Sequence, residues 1–246
     1  MTNRLLIATA IAANVLLAPL VAAEDRFTLD LETGAAWQLR NDFAVPGDTG
    51  TLVRLDDEGP SFAGRATLNW NVNDRWSVRF LAAPLSTDSD YLPEGDVLFQ
   101  DAIFAAGKPV RVDYRFDSYR VSGIYRFRSS GPWSFRAGLT AKVRDAEISL
   151  RNDEVSATKS NTGVVPLLYG GMRYQASDRV AIDLDVDGAA ASQGRAIDAA
   201  IRVETRVADS TSLYLGGRVL DGGADNDEVY SFATFTYLIA GAQFRW

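Results

Sequence analysis

The chain has 246 residues, 47% of them hydrophobic, and a formal charge of −7. That length fits one large all-β domain or two small ones, and the acidic balance excludes a nucleic-acid partner, which would need a basic face for phosphate. There is no cysteine and no histidine, and only Lys108, Lys142 and Lys159 of the 25 cationic side chains are lysine, so disulfides, thiol chemistry and imidazole catalysis are out of reach.

The opening MTNRLLIATAIAANVLLAPLVAAED places Arg4 before an apolar stretch that ends at Val21-Ala22-Ala23, ahead of Glu24 and Asp25. A short positive region, an apolar core and small residues at a cleavage point make a secretory signal. Residues 1–23 are therefore expected to be removed, leaving 24–246 as one domain. A membrane anchor fits less well, because Asn14 and Pro19 interrupt the core. No later run approaches the roughly 20 apolar residues of a membrane helix.

From there the sequence alternates. FTLDLETGAAWQLR sets Phe27, Leu29, Leu31, Thr33, Ala35, Trp37 and Leu39 on one face, with Thr28, Asp30, Glu32, Gln38 and Arg40 on the other. This period of two predicts a strand. FAGRATLNWNV repeats it, with Phe62, Leu68 and Trp70 against Arg65, Asn69 and Asn71. A tight turn at VNDRW follows, placing Trp76 where a membrane interface favours an indole, and the next strand carries Arg79 on its polar side. The connection at 86–109 is long, and its Leu98, Phe99, Ile103 and Phe104 form an apolar cluster able to pack over a mouth or meet a ligand.

VRVDYRFDSYRVSGIYRFR shifts its apolar parity near Asp117-Ser118, which reads as a strand with a bulge. On that reading Val110, Val112, Tyr114 and Phe116 face out, as do Tyr119, Val121, Tyr125 and Phe127 beyond the bulge. Arg111, Asp113 and Arg115, then Arg120, Arg126 and Arg128, point in. After the turn SSGPW, with Trp133, the next strand adds Arg136, Thr140, Lys142 and Arg144 to the inner face. Beyond the turn ASDRV, VAIDLDVDG sets Asp183, Asp185 and Asp187 against Val180, Ile182, Leu184 and Val186. Asp198, Arg202, Glu204 and Arg206 follow before the turn ADSTS.

Strands of about ten residues are long enough to cross a bilayer on a tilt. Four tight turns alternate with longer acidic connections at 43–60, 86–109, 151–163, 189–194 and 221–228. Together they predict an all-β fold: a transmembrane antiparallel up-and-down barrel of ten strands, with eight or twelve as alternatives and both termini at the short-turn side.

The chain ends YLIAGAQFRW, an alternation of Leu238, Ala240, Ala242, Phe244 and Trp246 carried to the last residue. Termini ordinarily fray, so this face is expected to meet lipid. The pattern resembles the C-terminal assembly signal of Gram-negative outer-membrane β-barrel proteins, departing at Ala240 and Ala242, where bulkier residues are common. The resemblance implies an outer-membrane location with periplasmic termini, insertion by the barrel-assembly machinery, and contact with outer-membrane lipids and lipopolysaccharide, as a monomer. The size is similar to that of ten-stranded outer-membrane proteases and adhesins, eight-stranded lipid-A-modifying enzymes and small channels. Their common enzymes use a catalytic histidine, which this chain lacks.

Function is thus expected to be non-enzymatic, with no catalytic residues and no cofactor. A Ser–Lys pair could replace histidine, but Lys142 sits beside several arginines and makes a weak nucleophile candidate. The lumen charges either pair and plug a narrow barrel or line a small-solute path. A surface-loop binding or adhesion role is the other reading, with an outer-membrane enzyme of unrecognised type behind it. No metal centre is expected, although DGGADNDEVY offers Asp221, Asp225, Asp227 and Glu228 as hard oxygen ligands, which could share a divalent cation with lipopolysaccharide. Asp56, Asp57 and Glu58 form a weaker cluster of the same kind.

Overall fold

A computed structural model describes residues 25–55, 58–127 and 131–246. The proposed leader lies outside these residues, as do Asp56, Asp57 and Arg128. Fourteen strands form: β1 (Phe27–Ala44), β2 (Val53–Arg54), β3 (Glu58–Asn71), β4 (Trp76–Ala83), β5 (Ser86–Tyr91), β6 (Val97–Phe99), β7 (Ala102–Phe104), β8 (Val110–Arg126), β9 (Trp133–Arg151), β10 (Ser156–Gln175), β11 (Val180–Ala191), β12 (Gly194–Ala208), β13 (Thr211–Asn226) and β14 (Val229–Arg245). Each long strand pairs antiparallel with its successor, and β14 pairs with β1 from Thr28↔Arg245 to Ala44↔Tyr230. With β4 and β5 counted as one interrupted wall strand, this is a closed ten-stranded antiparallel barrel.

The β3–β4, β10–β11 and β12–β13 connections turn tightly at one end, where β8 also ends and β9 begins, beside both termini. Phe27 and Trp246 stack there with centroids 6.0 Å apart, and each backbone N–H bonds the other's carbonyl. That exchange holds the terminal residue in place.

Three of the expected long loops are instead strand. Arg151 is followed by a four-residue turn before β10, and the β11–β12 and β13–β14 turns are tighter still. Strand β10 has 20 residues, roughly twice the 9–11 that cross a bilayer. The barrel therefore has two storeys.

In the storey near the termini the outer face is apolar: Leu31, Trp70, Phe80, Leu139, Leu168, Ile201, Leu215 and Leu238 are all exposed. Trp76, Tyr125, Phe127, Trp133, Phe135 and Tyr174 form aromatic contacts at its rim, as an interfacial girdle requires. In the storey at the loop end the polarity inverts. Phe43, Val53, Val110, Val112, Tyr114, Leu150 and Phe235 are buried inside, in one apolar cluster. Hairpin β6–β7 folds over that cluster and buries Phe99 and Phe104, while Ile103 stays exposed. The hairpin is tied down where Leu98 N–H donates to Thr51 Oγ1 and Gln100 N–H to the Val45 carbonyl.

Candidate functional site: the barrel lumen

This inversion corrects the expected register of β8. The strand has no bulge at Asp117-Ser118, since its pairing with β9 runs unbroken from Arg111↔Arg151 to Arg126↔Arg136. Val110, Val112 and Tyr114 are 1%, 1% and 6% exposed and point inward, so Arg111, Asp113 and Arg115 point outward, against expectation. There they bond Asp88, Arg151 and Glu147 on the outer wall. What changes along β8 is the medium outside the barrel, from lipid to water, and the apolar face follows it while the strand stays regular. Arg40 is a second correction. A bulge between Gln38 and Arg40 turns Arg40 outward, onto Asp42, Tyr230 and the Phe232 ring.

Most of the other expected lumen residues face inward and interlock, whereas Arg126, Lys142, Arg144 and Arg206 line the cavities without an ion pair among the described residues. Asp198 accepts three guanidinium groups, from Arg65 of β3 at 2.9 Å, Arg120 of β8 at 2.7 Å and Arg218 of β13 at 2.5 Å. Arg120 also reaches Asp187 at 3.0 Å, and Arg218 makes a fork with Glu32 at 2.9 and 3.0 Å. One layer closer to the termini, Arg202 of β12 holds Asp30 and Asp183 at 3.1 Å each and also binds Asp185. Arg136 joins Asp183 at 2.9 Å, and Arg79 reaches Asp185 at 3.4 Å while stacking on Tyr169. Glu204 closes the lowest layer between Arg173 at 2.6 Å and Arg245 at 2.7 Å. Eight arginines and seven carboxylates are thus paired across the lumen.

Below the deepest pairs, a polar vestibule of about 370 Å³ is lined by this network, with Arg126 and Arg206 also on its wall. Its roof is the bridge from Arg120 to Asp187 and Asp198, and above that roof lies the apolar cluster.

Sequence reasoning missed Arg173, Arg218, Arg245, Tyr169 and Tyr214. Arg218 stands in a strand read for its turn, yet its parity with Ser212 and Tyr214 marks the inner face. Tyr214 donates to Asp30 at 2.6 Å and Glu32 at 3.2 Å. It does so by lying across the position of Gly241 on the intervening strand, where any side chain would collide with its ring. Such a close approach is what a glycine inside a strand permits.

Lys142 is inward as expected, 2% exposed, with its ammonium 4.5 Å from the Phe116 ring centroid. Lys159 also lies in the wall, on β10. Asp221 is not a loop ligand. It sits on the outer face of β13, 2.5 Å from Arg195 and bonded by Thr234. Asp225 lies near the end of β13 and Asp227 and Glu228 fill the following turn, where Glu228 meets Lys159 at 3.5 Å. Among the described residues no three acids gather as a metal centre. At the chain end Leu238, Phe244 and Trp246 are exposed on the outer face, with Ala240 and Ala242 on the same parity.

The sequence matches no protein-family model and no curated protein. Solved structures are similar in fold. The outer-membrane protease OmpT of Escherichia coli superposes with a TM-score of 0.56 at 11% identity, over 93% of this chain and 99% of that one. Ail, the attachment invasion locus protein of Yersinia pestis, gives 0.41 at 13% identity, over 89% and 99%. The architecture is that of a Gram-negative outer-membrane β-barrel.

Proposed function

We propose that this protein is a sealed, non-enzymatic outer-membrane barrel that stands as a monomer, with its termini in the periplasm and its tall storey outside the cell. The observation that carries this reading is the double closure of the lumen: a cross-barrel ion-pair layer below and an apolar cluster capped by β6–β7 above. An open path needs a continuous column of water, and each layer interrupts one. The fold shared with a protease brings no chemistry with it, because the chain has no histidine and no serine hydroxyl is bonded to Lys142 among the described residues.

The partners of this reading are lipids and the barrel-assembly machinery. Arg111, Arg115 and Arg151 stand on the outer wall beyond the apolar belt, at the height where lipopolysaccharide phosphates would lie. Guanidinium forks suit phosphate, and a divalent cation could bridge the neighbouring Asp113 and Glu147 to the same phosphates. A surface-binding role is supported by the exposed Leu92 and Ile103 at the loop tips.

The decisive measurement is single-channel recording of refolded full chain in planar bilayers. The expected result is silence at both polarities. Stable ohmic steps would replace the sealed barrel by a channel.

A further inference from the structure

A second cavity, of about 440 Å³, lies inside the loop-end storey beside the apolar cluster. Small-molecule sites occupy roughly 300–1,000 Å³. Its floor is aromatic, with Tyr114, Phe116 and Phe235, and its far wall is built of small residues, including Ala189, Ala196, Gly222 and Ala224. The space is open because these side chains are short.

Four cations border this apolar space: Lys142, Arg144, Lys159 and Arg195, the last paired with Asp221. Lys142 has no ion pair or hydrogen bond among the described residues, although its side chain is 2% exposed. Arg144 leaves its buried Nε without a partner and, among the described residues, hydrogen-bonds only the Asn161 amide oxygen. The two acids at the edge are engaged elsewhere, Glu147 with Arg115 and Asp221 with Arg195. In a lumen where eight arginines find carboxylates, an unpaired buried ammonium is costly. An anion would relieve it.

The wall beside the cavity is parted. Pairing of β10 with β11 ends at Leu168↔Gly188, whereas β10 continues with β9 to Ser156↔Arg151. Pro166, just beyond the end of that pairing, remains opposite Ala141 of β9. Proline brings no N–H to a ladder and is tolerated where that side of the strand is an edge. Val164 and Leu168 on β10 are 71% and 68% exposed on the outer face, so the edge lies at the height of the apolar belt. The cavity is lined from both sides of the parting, by Val165 and Pro166 and by Ala190 and Ala191.

From the unpaired cation, the apolar walls and the parted strands, we infer that this cavity binds an amphiphile with one anionic head and an apolar tail, of the fatty-acid class. The head group pairs with Lys142 and Arg144, and the tail lies against Phe116 and Phe235. Access is lateral, from the membrane between β10 and β11. This site does not depend on whether the lumen conducts.

Full-length protein in lipid nanodiscs, titrated with carboxyl-labelled decanoate and followed by NMR, tests the inference, with decanol and inorganic phosphate as comparison probes. Saturable binding of decanoate alone is expected. Lys142→Met should weaken it by about tenfold or more, the worth of one charge-assisted hydrogen bond, and should raise the melting temperature by removing an unpaired charge. Lys142→Arg should retain binding, and Lys108→Gln, outside the cavity, should match wild type. Val164→Trp, on the outer face of β10 at the parting and outside the cavity lining, should slow decanoate exchange while leaving affinity unchanged. Equal binding of decanol, no saturable binding, or full affinity in Lys142→Met would overturn the site. A lower melting temperature for Lys142→Met would show that the ammonium already has a structural partner and overturn the anion argument. Unaltered exchange in Val164→Trp would overturn the lateral route.

Discussion

Arg120 of β8 and Asp198 of β12 meet across the barrel at 2.7 Å, with their side chains 2% and 3% exposed. These two residues are on opposite walls, so their contact sets the inner diameter at this height and divides the water below from the apolar cluster above. Asp198 also carries Arg65 and Arg218, which makes it the residue whose loss leaves the most charge unpaired.

Asp198→Asn is therefore expected to be among the most destabilising single changes in the lumen. Removing one partner of a buried pair costs about 3–5 kcal/mol, and three guanidinium groups share this one. Heat-modifiability on gels, or unfolding in urea from bilayers, should show a large loss for Asp198→Asn. Asp113→Asn, on the outer wall and more than a third exposed, should shift stability little, since exposed pairs contribute about 0–1 kcal/mol.

A second expectation separates the two possible registers of β8. Val112 is 1% exposed inside the apolar cluster, and Arg111 beside it is on the outer wall. Val112→Asp should prevent folding of the upper storey, because it buries an unpaired charge, whereas Arg111→Ala should stay within about 0.5 kcal/mol of wild type. The reverse ranking would restore the bulged register.

The error over β8 shows what alternation reveals and what it hides. Four tight turns between alternating segments point to ten wall strands, and parity places Asp183, Asp185 and Asp187 inside, because in the lower storey lipid outside and charge inside coincide with parity. Above the belt the same parity carries apolar residues inside, and a sequence offers no mark of where the outside medium changes. Long polar connections such as 151–163 read as loops for the same reason: the outer residues there face water. Arg218 and Tyr214 were hidden among glycines, whose purpose becomes visible only when Tyr214 is seen lying over Gly241. The parting between β10 and β11 depends on pairing, which no single strand contains.

At the chain end, Phe244→Ser with Trp246→Ser should abolish assembly. Both side chains are exposed on the outer face, 38% and 39%, and Trp246 stacks on Phe27 where the barrel closes. Pulse-chase fractionation should find degraded periplasmic chain. Normal amounts of heat-modifiable barrel in the outer membrane would refute the lipid-facing assignment.

On the outer wall, Arg195 donates to Asp221 and holds its carboxyl below the usual range. A carboxylate depressed in the folded state stabilises above its unfolded pKa of about 4, and that contribution is lost as pH falls through the lower folded value. The stability gap between wild type and Asp221→Asn should therefore be constant from neutral pH down to about 4 and close in more acid solution. A gap that persists unchanged at the lowest pH would mean that the Arg195 contact does not depend on charge.

The two closures of the lumen act in series, and this gives the sharpest prediction about permeation. Phe99→Ala with Phe104→Ala removes two fully buried rings of the loop-end cap, at a cost of about 3–5 kcal/mol each, yet leaves the Arg120 bridges to Asp187 and Asp198 in place. Asp183→Asn, Asp185→Asn and Asp187→Asn together loosen the charged layer but leave the cap. Each set alone should lower thermal stability and remain silent in planar bilayers. Combined, they should conduct, and the current should prefer anions, because arginines released from Asp183, Asp185 and Asp187 then line the path. Conduction by the cap variant alone would mean that water already passes the ion-pair layer. Silence of the combined protein, with folding verified by its heat shift, would place the seal in neither layer.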